Sequence, residues 1–167
     1  MRKSILVLPA LFMAFAAQAD WDYRESIDKM TDKTSKSASI VSDNSLSLDF
    51  PYAGKNHAIL TVRQHPQYGL DVILQIQKGQ ILCSSYSGCP IQVKFDDAPP
   101  VRFSGTEPAD RDSKVVFFQG ENKFINQATK AKKILVQVNL YHAGAPVLEF
   151  STKEPLKWQT ASAKTKK

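Results

Sequence analysis

Apolar residues recur at every second position along most of this chain, the period of a β-strand that buries one face. Trp21, Tyr23 and Ile27 alternate with Asp22, Arg24, Ser26 and Asp28, which predicts a first strand that begins inside the sheet and buries an aromatic face. Ala38, Ile40 and Val41, then Leu46, Leu48 and Phe50, predict two strands paired as a hairpin through Ser42-Asp43-Asn44. A Pro/Gly break at 51–56 follows, then a strand carrying Ala58, Leu60 and Val62. The loop 64–69 leads to another with Val72, Leu74 and Ile76 on one side.

The stretch Gly79 to Asp97 is the expected centre of the fold. Ile81 and Leu82 precede the turn-prone run Ser84-Ser85-Tyr86-Ser87-Gly88, and Ile91, Val93 and Phe95 follow it, so the pattern reads as a hairpin with a cysteine on each side of its neck. Val101 to Phe103 and Lys114 to Phe118 are further short strands. The period changes only once: Phe124, Ile125, Ala128 and Ala131 lie at helical spacing between Asn122 and Lys133, with lysines at the C-terminal end where the helix dipole favours them. Ile134, Val136, Val138 and Leu140 return to the strand period, and the turn Ala143 to Pro146 leads to Val147–Phe150. Leu156 and Trp158 close the pattern. The predicted fold is mainly β, an antiparallel β-sandwich with one α-helix near residues 122–133.

Residues 1–19 stand apart from that pattern. Arg2 and Lys3 precede an apolar run from Ile5 to Ala16, and Ala17-Gln18-Ala19 is a small-residue cleavage site, so a secretory signal peptide cleaved after Ala19 is expected. An uncleaved anchor is the alternative, but the run falls short of the roughly 20 apolar residues a spanning helix needs. The mature chain, from Asp20, is expected to have no stable membrane span and to be periplasmic or secreted. It would form one β-rich domain over 20–158 with a flexible basic tail over 159–167. Without Arg2 and Lys3, 20 basic side chains face 16 acidic ones, a formal charge of +4 in place of +6. Part of that excess is Lys164, Lys166 and Lys167. No run interleaves basic and aromatic residues, so no nucleic-acid partner is expected.

In an oxidising compartment, Cys83 and Cys89 are expected to form a disulfide, since five intervening residues match neither a CxxC redox site nor zinc-ligand spacing. Closing so short a loop stabilises by roughly 2.4 kcal/mol on the chain-entropy account, so the bridge fixes a local register. Motifs for catalysis are absent: there is no HExxH, GxSxG, P-loop or Rossmann fingerprint, and no cofactor or metal is expected. His57, His65 and His142 are read as ordinary polar or turn residues. Asp96, Asp97 and Asp110 could serve a metal-assisted hydrolase if the fold brought them together, although carboxylates at strand ends are more often solvated turn residues. Tyr68, Tyr86 and Tyr141 lie in or beside predicted turns and are the candidate binding residues. For Tyr86, a residue presented to a partner and one folded back on its own hairpin are equally compatible with the sequence.

The leader, Trp21 followed by Asp28-Lys29-Met30-Thr31-Asp32, the VKFDD strand end at Val93 to Asp97, and the segment from Phe124 through Ala131 to Phe150 and Leu156 carry a resemblance. They resemble small exported β-sandwich proteins of the invasion-associated locus B type and the periplasmic accessory proteins of type VI secretion. The resemblance implies a non-enzymatic envelope protein of two packed sheets. It assigns no site residues, and the compact cysteine loop departs from it. The expected function is an exported binding module with an envelope protein as partner. The alternatives are an inhibitor of a cell-wall hydrolase such as lysozyme and, third, the metal-assisted hydrolase.

Overall fold

The computed structural model describes residues 20–159 except Ser85 and Ser87; the leader expected over 1–19 and the tail beyond Gln159 lie outside the described residues. Eleven strands and one helix follow in the order β1 (Asp22–Ile27), β2 (Thr34–Val41), β3 (Leu46–Leu48), β4 (Gly54–Asn56), β5 (Ala58–His65), β6 (Gly69–Ile76), β7 (Cys89–Phe95), β8 (Val101–Thr106), β9 (Val115–Phe118), α1 (Glu121–Ala128), β10 (Lys133–Val138) and β11 (Val147–Ser151). Nine strands form one antiparallel sheet in the order β1-β2-β5-β6-β9-β8-β7-β10-β11, and β3 and β4 form a separate pair. The chain is therefore mainly β and antiparallel with one helix, and the two layers of the sandwich belong to one continuous sheet folded over on itself.

Period-two alternation is what allows this. Leu60 and Val62 on β5, Val72, Leu74 and Ile76 on β6, Ile91, Val93 and Phe95 on β7, and Ile134, Val136 and Val138 on β10 all point inward and are buried in one cluster. Each fully buried aliphatic side chain contributes about 1.5–3 kcal/mol relative to exposure. The two ends are closed by different means. At one end α1 sets Phe124 between Phe95, Phe103 and Phe118, edge to face, at centroid distances of 5.4, 6.1 and 5.3 Å. At the other, Leu46 and Leu48 of the β3–β4 pair are buried beneath the loops. Asn56, fully buried, locks that pair in place: its amide donates to the Lys78 carbonyl and its carbonyl accepts from Lys78 N–H, both at 2.8 Å.

Several sequence expectations are corrected. The first strand lies at the edge of the sheet: Trp21 is buried, but every residue of β1 is exposed, Ile27 to 63%. β2 and β3 do not pair, because the turn between them is used elsewhere. Asp43 N–H donates to the Glu149 carbonyl (2.7 Å), and the Asn44 side chain donates to the Val147 carbonyl (2.8 Å) and accepts from Glu149 N–H (2.9 Å). The expected hairpin around the cysteines is also reduced. Both flanks of β7 are occupied by β8 and β10, so Leu82 N–H bonds to Asn139 O and Tyr141 N–H to Gln80 O, leaving only the neck itself closed on β7's side. Finally, the helix ends at Ala128, short of the expected Lys133. Lys132 and Lys133 donate their backbone N–H groups to the Asp96 carboxylate (3.0 and 2.8 Å), which turns the chain into β10 and leaves no lysine in the last helical turn.

Gly105 on β8 is required by close approach. A Cβ there would stand 2.5 Å from Val116 Cγ2, 2.9 Å from Ile91 Cδ1 and 3.0 Å from the Phe117 carbonyl oxygen. Gly105→Ala is expected to destabilise the fold by about 1–3 kcal/mol through overpacking, read as a lower urea midpoint at unchanged slope. An unchanged midpoint would show that β8 and β9 are less tightly apposed than described.

Candidate binding surfaces

The antiparallel topology sorts the candidate residues between two ends. The loops 77–88, 107–114 and 139–146 emerge at one end; the β5–β6 turn, the β7–β8 turn and α1 lie at the other. Tyr86 and Tyr141 therefore share an end, and Tyr68 is on the opposite one. Tyr68 is exposed and stacks on His65 at 4.6 Å, while His65 Nδ1 accepts from the N–H groups of Gln67 and Tyr68 (3.1 and 3.3 Å). That pair folds the turn.

Tyr86 stands at the tip of the cysteine loop. Cys83 and Cys89 are disulfide-bonded, and Ser84 and Gly88 exchange both backbone hydrogen bonds at 2.8 Å, so the neck of the loop is closed by covalent and hydrogen bonds together. Tyr86 is fully exposed, as free of contact as in an extended peptide. Its side chain is not folded back on its own hairpin. Gly88 has φ +67, and a Cβ there would meet the Gly105 carbonyl at 2.9 Å, so the loop's return needs glycine.

Tyr141, half exposed, packs edge-on to His142 at 4.0 Å. It lines a small depression with Phe50 and Tyr52, and Gln80 ties the two loops by donating to Tyr52 Oη at 2.9 Å. Phe50, 92% exposed, was placed by its period on a strand; it lies instead in the loop after β3. Phe50, Leu82, Tyr86 and Tyr141 thus stand exposed together at one end of the fold.

The chemistry-bearing residues are dispersed. Asp96 and Asp97 occupy the β7–β8 turn, and Asp110 lies in the loop before β9 at the other end. Asp96 holds the β10 entry as described, and Asp110 accepts from Asp112 N–H at 3.1 Å, so both act on their own backbone. His57 Nδ1 lies 3.1 Å from the Ser42 carbonyl. Among the described residues no group of three His, Cys, Asp or Glu side chains is placed to hold a metal ion, and no helix is long and apolar enough to cross a membrane.

The chain finds no match. Comparison with protein-family models, curated proteins and solved structures returns no significant similarity. The site must be read from its own geometry.

One concavity among the described residues is one that sequence reading missed. A groove of about 940 Å³ opens between the inner face of β1, β2 and β5 and the C-terminal segment, with Tyr23, Glu25, Lys36 and Gln64 on one side and Lys157, Trp158 and Gln159 on the other. Lys157 N–H donates to Tyr23 Oη at 2.8 Å and holds the two walls together. The Lys157 ammonium pairs with Glu154, and this hydrogen bond, with the carboxylate's charge, raises its pKa above the ordinary 10.5. The stabilisation linked to the Lys157 ammonium is thus complete at neutral pH and is lost as pH rises through that raised value.

Two substitutions check these assignments. Asp96→Ala is expected to cost about 1–3 kcal/mol by removing the acceptor of two N–H groups at a residue with φ 45, whereas Asp97→Ala stays within about 0.5 kcal/mol. Equal effects in chemical denaturation would remove Asp96 from its structural role. The paired change Cys83→Ser with Cys89→Ser should lower stability by about 2 kcal/mol while the far-ultraviolet β signature persists; loss of that signature would mean the bridge organises more than its loop.

Proposed function

We propose that this protein is an exported envelope protein that acts by binding, and that it presents Tyr86 to a protein partner. The observation that carries the reading is the full exposure of Tyr86 on a loop closed by a disulfide and by two reciprocal backbone bonds. A loop whose neck is closed before contact has less backbone freedom to lose on docking. Phe50, Leu82 and Tyr141 at the same end supply further apolar contact area, and aromatic anchors of this kind dominate interface energies. Export is supported by the leader pattern of residues 1–19 and is compatible with the Cys83–Cys89 bridge.

A second reading uses the same feature. A narrow, covalently closed loop with an aromatic tip suits insertion into a concave cleft, which favours inhibition of a cell-wall hydrolase such as lysozyme as the form that binding takes. A photo-crosslinking amino acid at position 86 is expected to capture a discrete envelope partner. Tyr86→Ala should weaken that complex by about tenfold or more at unchanged melting temperature. Capture that is equally efficient from position 68, at the opposite end, would overturn the assignment. Suppression of lysozyme-catalysed lysis by the protein, abolished in Tyr86→Ala, would identify the partner as a hydrolase.

A further inference from the structure

We infer that the groove between β1 and the C-terminal segment is a binding site for a neutral oligosaccharide chain. It is separate from the Tyr86 loop and independent of that reading. Its floor follows from the sheet register. Glu25 pairs with Lys36 across β1 and β2, and Lys36 with Gln64 across β2 and β5, so the three side chains form one row on the face that carries Ala38 and Val62 into the core. The inner face of the sheet therefore continues past the core as a polar, solvent-filled surface. Leu156 N–H bonds to the Ala128 carbonyl at 3.2 Å and Lys157 N–H to Tyr23 Oη, which fixes the opposite wall and keeps the groove open.

The groups on these walls select the ligand class. Every cation lining the groove has a carboxylate against it: Arg24 with Asp22 at 2.6 Å, Lys36 with Glu25 at 2.8 Å, and Lys157 with Glu154. The described site thus carries no net charge to attract an ion. The Gln64 and Gln159 side chains line the groove and can both donate and accept hydrogen bonds. Trp158 and Tyr23 add aromatic rings. Amides that match hydroxyl groups, rings that pack on the C–H face of a sugar, and neutrality together fit a polyhydroxylated, uncharged chain. The volume lies at the top of the range of about 300–1,000 Å³ for small-ligand sites, which suits an elongated occupant.

The test titrates the purified protein with maltotetraose, cellotetraose and tetra-N-acetylchitotetraose, alongside tetragalacturonate and an uncharged pentapeptide, reading calorimetry and tryptophan emission. Trp21 is buried, so an emission change reports Trp158. At least one neutral tetrasaccharide is expected to bind at millimolar concentration or below with a shifted emission. Trp158→Ala should weaken that binding about tenfold, and Gln64→Ala about fivefold at an unchanged melting temperature, since Gln64 is exposed and supports nothing else. Tyr86→Ala should bind the sugar as the parent does. The inference is overturned if none of the three neutral sugars binds, if the galacturonate or the peptide binds more tightly than all of them, or if sugar binding survives both groove substitutions.

Discussion

The outer edge of β11 is satisfied by Asp43 and Asn44 in place of another strand, and the architecture depends on that substitution. The Asn44 side chain offers one donor and one acceptor to Val147 and Glu149, as a neighbouring peptide unit would. Because Asp43 and Asn44 follow the end of β2 after one intervening residue, meeting them requires the sheet to curl until its two halves face each other. Thr152, just past β11, completes the seam by donating to the Asp20 carboxylate at 2.9 Å. A nine-stranded antiparallel sheet left flat would expose one apolar face; curled in this way it buries that face against itself in a single core.

Curling creates two open ends, and their different closures explain where binding surfaces arise. The α1 end is filled by a cluster of four phenylalanines and by a helix whose outward face is polar. The opposite end is covered by loops tied to one another through Asn56, Gln80 and the Leu82–Asn139 bond. Such loops are held mainly by hydrogen bonds to backbone, which leaves their apolar side chains free to face solvent. Phe50, Tyr86 and Tyr141 are exposed there for that reason, and the disulfide closes the neck of the loop that carries Tyr86.

The groove is the other consequence of the same seam. The β2 end meets β11, but β1, paired only with β2, continues beyond the place where the layers touch. Its inner row of side chains is then covered by no strand. The C-terminal segment crosses in front of it, joined by the hydrogen bond from Lys157 N–H to the Tyr23 hydroxyl, and the gap between them remains wide enough to hold a ligand. Charged residues on β1, all exposed, also discourage pairing of its free edge with another chain.

The sequence by itself determined the class of fold and the inward residues of nearly every strand from β5 onward, because period-two alternation is imposed by the pleat and survives any choice of partner. It also pointed to the disulfide, since two cysteines in a short loop behind an expected export leader have an oxidising compartment in which to pair. Which strands pair, however, was decided by competition for hydrogen bonds between segments distant in the chain. Asn44 reads as a turn residue locally, yet its amide is used by β11 more than one hundred positions later. Asp96 turns the chain into β10 from a different turn, and the aromatic alternation of β1 does not lead to burial because no strand lies opposite it. Tyr86 was legible as a turn aromatic, whereas Gln64, Trp158 and the Glu25–Lys36 pair became one site only when the curled sheet set the C-terminal segment across β1. No local pattern encodes that proximity, because it follows from register and closure rather than from spacing.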